Sequence, residues 1–245
     1  GTARMVREKI SGQAQLSPDG KYIAFYDAGR WFSYSLATNK TVDLTGGLAG
    51  VRFEQETWDT PSIPAPWGLA GWTRGDRSLL VNDRYDIWEV DPAGVRPATM
   101  VTDSLGRREQ TVFRLVDLDR RGGRAGGGGL GRFGGGGGAT NPIDPAAPLF
   151  LRAFNERTKA SGFYRDRLGR RELPEQVVMA DLAFGTPSKA DDADVWMVTR
   201  GTFVDFPDLW VGPSLTDLAR ISDANPQQKE VNWGTVELVQ WTSTD

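Results

Sequence analysis

Short apolar runs alternate with clusters of Ser, Pro, Asp, Asn and Gly along most of the chain. The first clear case is Leu16-Ser17-Pro18-Asp19-Gly20, followed by Lys21-Tyr22-Ile23-Ala24-Phe25-Tyr26. Ser, Pro, Asp and Gly here occupy the positions a type I turn favours, with Pro presetting φ and Gly placed where the chain reverses. The run after the turn is apolar on both faces, Tyr22, Ala24 and Tyr26 against Ile23 and Phe25, as expected of a strand covered on both sides. Trp31 to Leu36, a polar turn at Thr38-Asn39-Lys40 and Val42-Asp43-Leu44-Thr45 complete a unit of about four strands in roughly 40 residues.

The same grammar returns three times. Trp72-Thr73-Arg74-Gly75-Asp76-Arg77 leads into Ser78 to Val81, then Tyr85 to Asp91, with a turn at Pro92-Ala93-Gly94. A less regular unit has Val112 to Leu118, Leu149 to Phe154, Gly162 to Arg165 and Gln176 to Met179. The last has Asp194 to Thr199, Asp208 to Val211 and Leu218 to Ser222. No window keeps a 3.6-residue apolar period long enough for a major helix. Four-strand units recurring every ~40–50 residues read as blades of a β-propeller, each a small sheet that covers its faces by stacking on its neighbours. The expected fold is all-β, a partial propeller of about four blades of four-stranded antiparallel sheet in a single domain spanning 1–245, with blades near 10–47, 50–103, 109–180 and 181–242. Trp31, Trp72, Trp88, Trp196 and Trp210 lie in or beside strands, where they are expected to fill the gaps between blades; stacking on sugars is the alternative use. A sandwich or barrel is the competing architecture, and the repeat length disfavours it.

One stretch breaks the pattern. Between Gly122 and Gly138, 12 of 17 residues are Gly. Such a run loses too much backbone entropy to order by itself, so a disordered surface insertion between strands is expected. A phosphate-cradling loop would need Lys-Ser/Thr after the glycines, where this chain has Ala139-Thr140-Asn141-Pro142. An RNA-binding tract would want more than Arg124, Arg132 and Phe133.

Leu16 to Phe25 resembles the repeat of TolB-type propellers, a repeat shared with the propellers of prolyl-oligopeptidase-family serine peptidases. The second unit matches more loosely: Trp72 to Asp76 replaces the Ser-Pro-Asp-Gly turn, and Ile87-Trp88-Glu89-Val90-Asp91 keeps the next strand. Toward the C-terminus, Thr199 to Phe203, Phe206 to Val211 and Arg220 to Gln228 are similar to the last full blade of the bacterial dipeptidyl-peptidase and acylaminoacyl-peptidase branch. Val236 to Asp245 resembles the junction where that propeller passes into an α/β-hydrolase domain. The resemblance implies a hydrolase domain after residue 245, N-terminal blades missing from a family total of seven or eight, and a propeller that gates access and helps hold short or unfolded peptides. Two rival expectations stand beside it: a stand-alone TolB-like propeller binding a protein partner, and a carboxylate-driven glycoside-active propeller.

Composition narrows the chemistry. The chain contains no His and no Cys, which removes Ser-His-Asp and Cys-His catalysis, imidazole and thiolate metal ligands, and disulfides. The nearest approach to a nucleophile elbow, Gly212-Pro213-Ser214-Leu215-Thr216, lacks the second Gly, so Ser214 reads as an ordinary turn residue. The chain alone is expected to be catalytically silent, with no cofactor or metal. A net charge of −3 with 25% charged residues gives no sign of a nucleic-acid partner, and no apolar run reaches the ~18 residues of a membrane span. The N-terminal Gly1-Thr2-Ala3-Arg4 lacks the features of a signal peptide; location stays open, with periplasm or secretion favoured over cytoplasm. The excess of Arg, 23 against 6 Lys, fits a GC-rich genome.

Three further constellations call for a structural answer. Asp191-Asp192-Ala193-Asp194 offers oxygen ligands but lacks the Gly and terminal Glu of a calcium loop, so a solvated acidic turn is expected. Asp83-Arg84-Tyr85-Asp86 is either a hairpin turn with locally paired charges, the preferred reading, or an Arg–carboxylate pair facing a channel where a peptide terminus binds. Glu54, Glu56 and Asp59 near Trp58 contain the carboxylates a glycosidase would need, with nothing in their spacing to set the ~5–10 Å separation. Open blade edges invite association, so the isolated chain is expected to dimerise edge to edge or to expose a sticky face.

Overall fold

The computed structural model describes residues 5–10, 12, 14–118 and 141–244; the glycine-rich tract at 122–138 lies outside them. Nearly all regular structure is β. Two compact units divide the chain, residues 1–179 and 180–245.

The first unit holds three sheets, each an antiparallel meander whose strand order follows the sequence. The first comprises β1 (Ala14–Leu16), β2 (Tyr22–Asp27), β3 (Arg30–Ser35) and β4 (Thr41–Asp43). The second comprises β5 (Leu69–Trp72), β6 (Leu79–Asn82), β7 (Ile87–Val90) and β8 (Thr99–Met100). A five-residue helix, α1 (Leu105–Glu109), leads into the third: β9 (Thr111–Leu115), β10 (Leu149–Asn155), β11 (Ser161–Asp166) and β12 (Glu175–Ala180).

Period-2 alternation explains how these sheets stack. On β6, Leu79 and Val81 join a core with Ala24, Tyr26 and Trp31 of the first sheet, while Leu80 faces the other way and joins Phe113, Leu151 and Ala153 of the third. On β7, Trp88 and Val90 take the first side and Ile87 the second. The second sheet is therefore apolar on both faces because a sheet covers each of them. Trp31 and Leu79 to Val81 are entirely sealed, each large side chain contributing ~1.5–3 kcal/mol on transfer from water.

The second unit carries β13 (Ala183–Phe184), β14 (Ser188–Lys189), β15 (Trp196–Gly201), β16 (Asp208–Ser214) and β17 (Asp217–Arg220). Both β13 and β14 pair with β15, so together they supply one broken outer strand beside the β15–β16–β17 meander. Four successive four-strand meanders, three of them shown stacking face to face, make this a partial propeller-like fold.

The turns join the first two sheets. In the Ser17–Gly20 turn the Gly20 amide donates to the Ser17 carbonyl at 2.9 Å, and Gly20 takes φ +69°. The turn between β5 and β6 makes the same bond, Asp76 N–H donating to the Thr73 carbonyl at 3.1 Å, but takes both Gly75 and Asp76 to positive φ, +79° and +56°, with Asp76 standing where Gly20 does in the first sheet. Asp tolerates the left-handed region better than most residues. Having a side chain there has a consequence, because the buried Asp76 carboxylate reaches the preceding turn. It accepts from Ser17 Oγ at 2.5 Å and from the amides of Asp19 and Lys21 at 3.1 and 3.2 Å. One carboxylate thus latches two neighbouring sheets.

Candidate functional site

The hairpin between β6 and β7 is the Asp83-Arg84-Tyr85-Asp86 segment, and its two carboxylates are structural. Asp83 is buried; its Oδ1 accepts the amides of Tyr85 and Asp86, both at 2.7 Å, and its Oδ2 accepts Trp88 Nε1 at 3.1 Å. This is the local turn chemistry Asp provides. Asp86 is fully buried and holds the start of α1: it accepts from Thr102 Oγ1 at 2.6 Å and from the amides of Gly106 and Arg107 at 2.9 and 3.0 Å. Burial raises the Asp86 pKa, with Asp83 adding to the rise, while the bonds from Thr102 and the two amides act against it.

The aspartates are held by backbone amides and by the Trp88 and Thr102 side chains, Asp83 also lying 3.8 Å from Arg107, while Arg84 and Tyr85 project into a cluster gathered from distant parts of the chain. Arg84 bridges Glu156 at 2.8 Å and Glu56 at 3.5 Å. Arg107 also reaches Glu56, at 3.3 Å. Tyr85 donates its hydroxyl to Glu156 at 2.8 Å, and its ring has the Arg84 and Arg107 guanidiniums 5.0 and 5.2 Å from its centroid. Burial, followed by the Glu156 carboxylate, raises the Tyr85 phenol above its ordinary value.

Arg114 on β9 fastens this arrangement from beneath. Its guanidinium donates to the carbonyls of Phe113, Asp83 and Arg84 at 2.7, 3.1 and 3.1 Å and lies 5.5 Å from the Trp67 ring centroid. Burial lowers its pKa to about 10, against the pull of Asp83, Asp86 and Glu156, so it stays charged at neutral pH.

The segment is a hairpin turn, as the preferred reading has it, but its arginine pairs with distant glutamates and not with its neighbouring aspartates. Asp83 is satisfied within its own hairpin, Asp86 by residues 16 to 21 positions on, and Arg84 by glutamates 28 and 72 positions away. Glu54 and Glu56 go to different partners, Glu54 to Arg52 at 2.9 Å and Glu56 to Arg84 and Arg107. Trp58 turns its indole N–H back on Ser62 within its own loop, and Asp59 is exposed. Ser214 ends β16, where its hydroxyl accepts the Asp217 amide at 3.1 Å, as a turn residue does. Asp191, Asp192 and Asp194 are exposed, Asp194 pairing with Lys189 at 3.2 Å. Among the described residues, no three His, Cys, Asp or Glu side chains gather to hold a metal ion, and no helix is long and apolar enough to cross a membrane.

Sequence reasoning missed Glu156 and Arg107. The signal was positional: Glu156 opens the β10–β11 hairpin, the counterpart in the third sheet of the hairpin carrying Arg84 in the second. Equivalent hairpins of stacked sheets emerge at the same end.

The cluster is a set of ion pairs near the surface. Its ions are half-buried and held by pairs that a ligand with its own charges can replace, carboxylate for carboxylate on the arginines and ammonium for guanidinium on the glutamates.

No family model matches the sequence, and no curated protein matches it. Among solved structures, the chain is similar to one from Agrobacterium tumefaciens given as a candidate TolB, at 12% identity and a TM-score of 0.27 over 85% of this chain and 79% of that one. The fold described above rests on strand order and core packing.

Proposed function

We propose that this chain is a non-catalytic, peptide-binding propeller part of a prolyl-oligopeptidase-like serine peptidase, gating access to a hydrolase domain and helping to position its substrates. The observation that carries the binding role is the half-buried Arg84–Glu156–Glu56–Arg107 cluster, assembled at the hairpin end of two stacked sheets. A free peptide terminus supplies the charges this cluster can accept. The link to a peptidase rests on the sequence resemblance of Thr199 to Val211, Arg220 to Gln228 and Val236 to Asp245. The absence of His from the chain supports a binding rather than a catalytic role. Commitment of Glu54 and Glu56 to separate arginines favours peptide binding over glycoside chemistry.

Calorimetric titration of the chain with trialanine, and with trialanine blocked at both ends, tests the binding role. The free peptide is expected to bind, with affinity falling about tenfold in Arg84→Ala as one charged contact worth ~1.4 kcal/mol is lost, and the blocked peptide is expected to bind more weakly than the free one. Equal binding of both peptides, or none by the wild type, overturns the assignment. A pull-down that recovers a folded protein partner in place of peptide binding would favour the TolB-like alternative.

A further inference from the structure

Three cations from two sheets converge on the turn between β5 and β6, at the end of β6 opposite the hairpin that carries Arg84. Lys21, just before β2, donates from Nζ to the Gly75 carbonyl at 2.9 Å. Arg96, in the connection leading to β8, donates from Nη2 to the Arg77 carbonyl at 2.6 Å and to Ser78 Oγ at 3.0 Å. The Arg77 side chain folds back along Gly75, its Cγ 3.6 Å from where a Cβ on that glycine would stand. With Tyr22 and Pro92 these residues line an open cleft of about 400 Å³. Two carboxylates share it, and both are engaged. Asp76 holds the Ser17–Gly20 turn as described above. Asp91 accepts the amides of Ala93, Val95 and Arg96 at 3.0, 3.2 and 2.9 Å and lies 3.5 Å from Arg96 Nε. Lys21 has Asp19 3.3 Å away, and Arg96 has Glu89 at 3.9 Å. Arg77 forms no ion pair with any described residue.

We propose that this cleft binds a phosphate monoester, its phosphate shared by Arg77, Lys21 and Arg96 and its substituent lying along Tyr22 and Pro92. Cations gathered on one turn repel one another, and an anion held between them relieves that repulsion. A phosphate monoester offers three terminal oxygens, one for each cation, where a carboxylate offers two. The guanidinium forks of the two arginines suit phosphate oxygens, and Lys21 adds a point charge. The cleft is many times larger than the ~30 Å³ share of one water, so a small substituent enters with the phosphate. An open cleft is screened by salt, which sets the dissociation constant near ~1 mM. Lys21 comes from the first sheet and both arginines from the second, so the ligand also braces the joint that Asp76 latches. This site is independent of peptide binding at the Arg84 cluster, which lies at the other end of β6.

Calorimetric titration of the 245-residue chain with phenyl phosphate and with benzoate, at constant ionic strength, tests this. Phenyl phosphate should bind saturably and more tightly than benzoate, and should raise the thermal midpoint. Arg77→Gln and Lys21→Gln should each weaken phenyl phosphate binding about tenfold. Arg77 makes no ion pair to lose, so its variant keeps the fold, and circular dichroism establishes this for each protein. Arg170→Gln, at an exposed position in the loop after β11, should leave binding unchanged. No saturable binding of phenyl phosphate overturns the proposal, as does binding indifferent to both cleft substitutions. Benzoate binding as tightly as phenyl phosphate overturns the assignment to phosphate.

Discussion

Replacing Asp76 with Ala cuts the latch between the first two sheets, and the structure sets the scale of the damage. The carboxylate accepts three hydrogen bonds from the preceding turn: a buried one from Ser17 Oγ and two from the partly exposed amides of Asp19 and Lys21. Bonds to a charged acceptor contribute ~1.5–3 kcal/mol each when buried. The two amides can recover water once the carboxylate is gone, so they count for a fraction of that. The expected loss for Asp76→Ala is about 3–4 kcal/mol. Asp76→Gly makes the same three deletions but relieves the positive φ, since Gly is the residue found at the matching position, Gly20. It should therefore be about 1 kcal/mol less damaging than Ala. Asp76→Asn keeps the acceptor oxygen and should lose about 1–2 kcal/mol. Urea unfolding followed by tryptophan fluorescence reads the event, because Trp31, Trp72 and Trp88 sit in the core between the two sheets. The midpoint should fall in the order Asn, Gly, Ala with the slope unchanged. Equal midpoints for Gly and Ala would refute the backbone argument, and a loss below 1 kcal/mol in Ala would refute the latch.

Other substitutions probe separate parts of the account. Burial raises the Asp166 pKa to about 6, with Asp103 and Glu172 adding to the rise and the Arg167 amide opposing it, and its Oδ2 has no partner. A carboxyl whose folded pKa lies above its unfolded value favours the folded state at low pH, so stability should fall as pH rises from about 4 through about 6. Asp166→Asn should flatten that dependence and stabilise the fold by about 1–2 kcal/mol at neutral pH, allowing for solvent screening; denaturant curves taken from below the unfolded pKa to above the folded one check it. Trp31→Ala empties the core between the first two sheets and should cost about 3–5 kcal/mol by the same fluorescence assay. Gly162→Ala would drive a methyl group into the Val178 carbonyl across β11 and β12. It should destabilise by at least ~1–3 kcal/mol and increase amide exchange along β11.

Much of the fold was legible because period-2 runs and turn residues agree at the same places. Tyr22 to Tyr26, Leu79 to Val81 and Leu149 to Phe154 all fall on strands. Of the doubly apolar strands, β6 lies in a sheet covered by another on each face, whereas β2 lies in a sheet with a neighbour shown on one face; Trp31, Trp72 and Trp88 fill the core between these two sheets. Short edge strands left little trace: β8 and β13 have two residues each, fixed by pairing with a neighbour rather than by pattern. The candidate site was half legible. Arg84 and Glu56 stood out as charged residues near turns, but their association depends on the connection between the first two sheets meeting a hairpin 28 residues on. Glu156 is farther still, 72 residues from Arg84, and the long insertion inside the third sheet conceals the repeat register that would have aligned the two hairpins. Asp76 looked like a surface turn residue because the turn it serves belongs to the preceding sheet.

The most direct test of the proposed role is to read the natural gene beyond the codon for Asp245. The account predicts an open frame of roughly 250 further residues carrying Gly-x-Ser-x-Gly, then Asp, then His, the chain order of an α/β-hydrolase triad. A stop codon at or near that position would contradict it and leave a binding propeller that acts without a hydrolase.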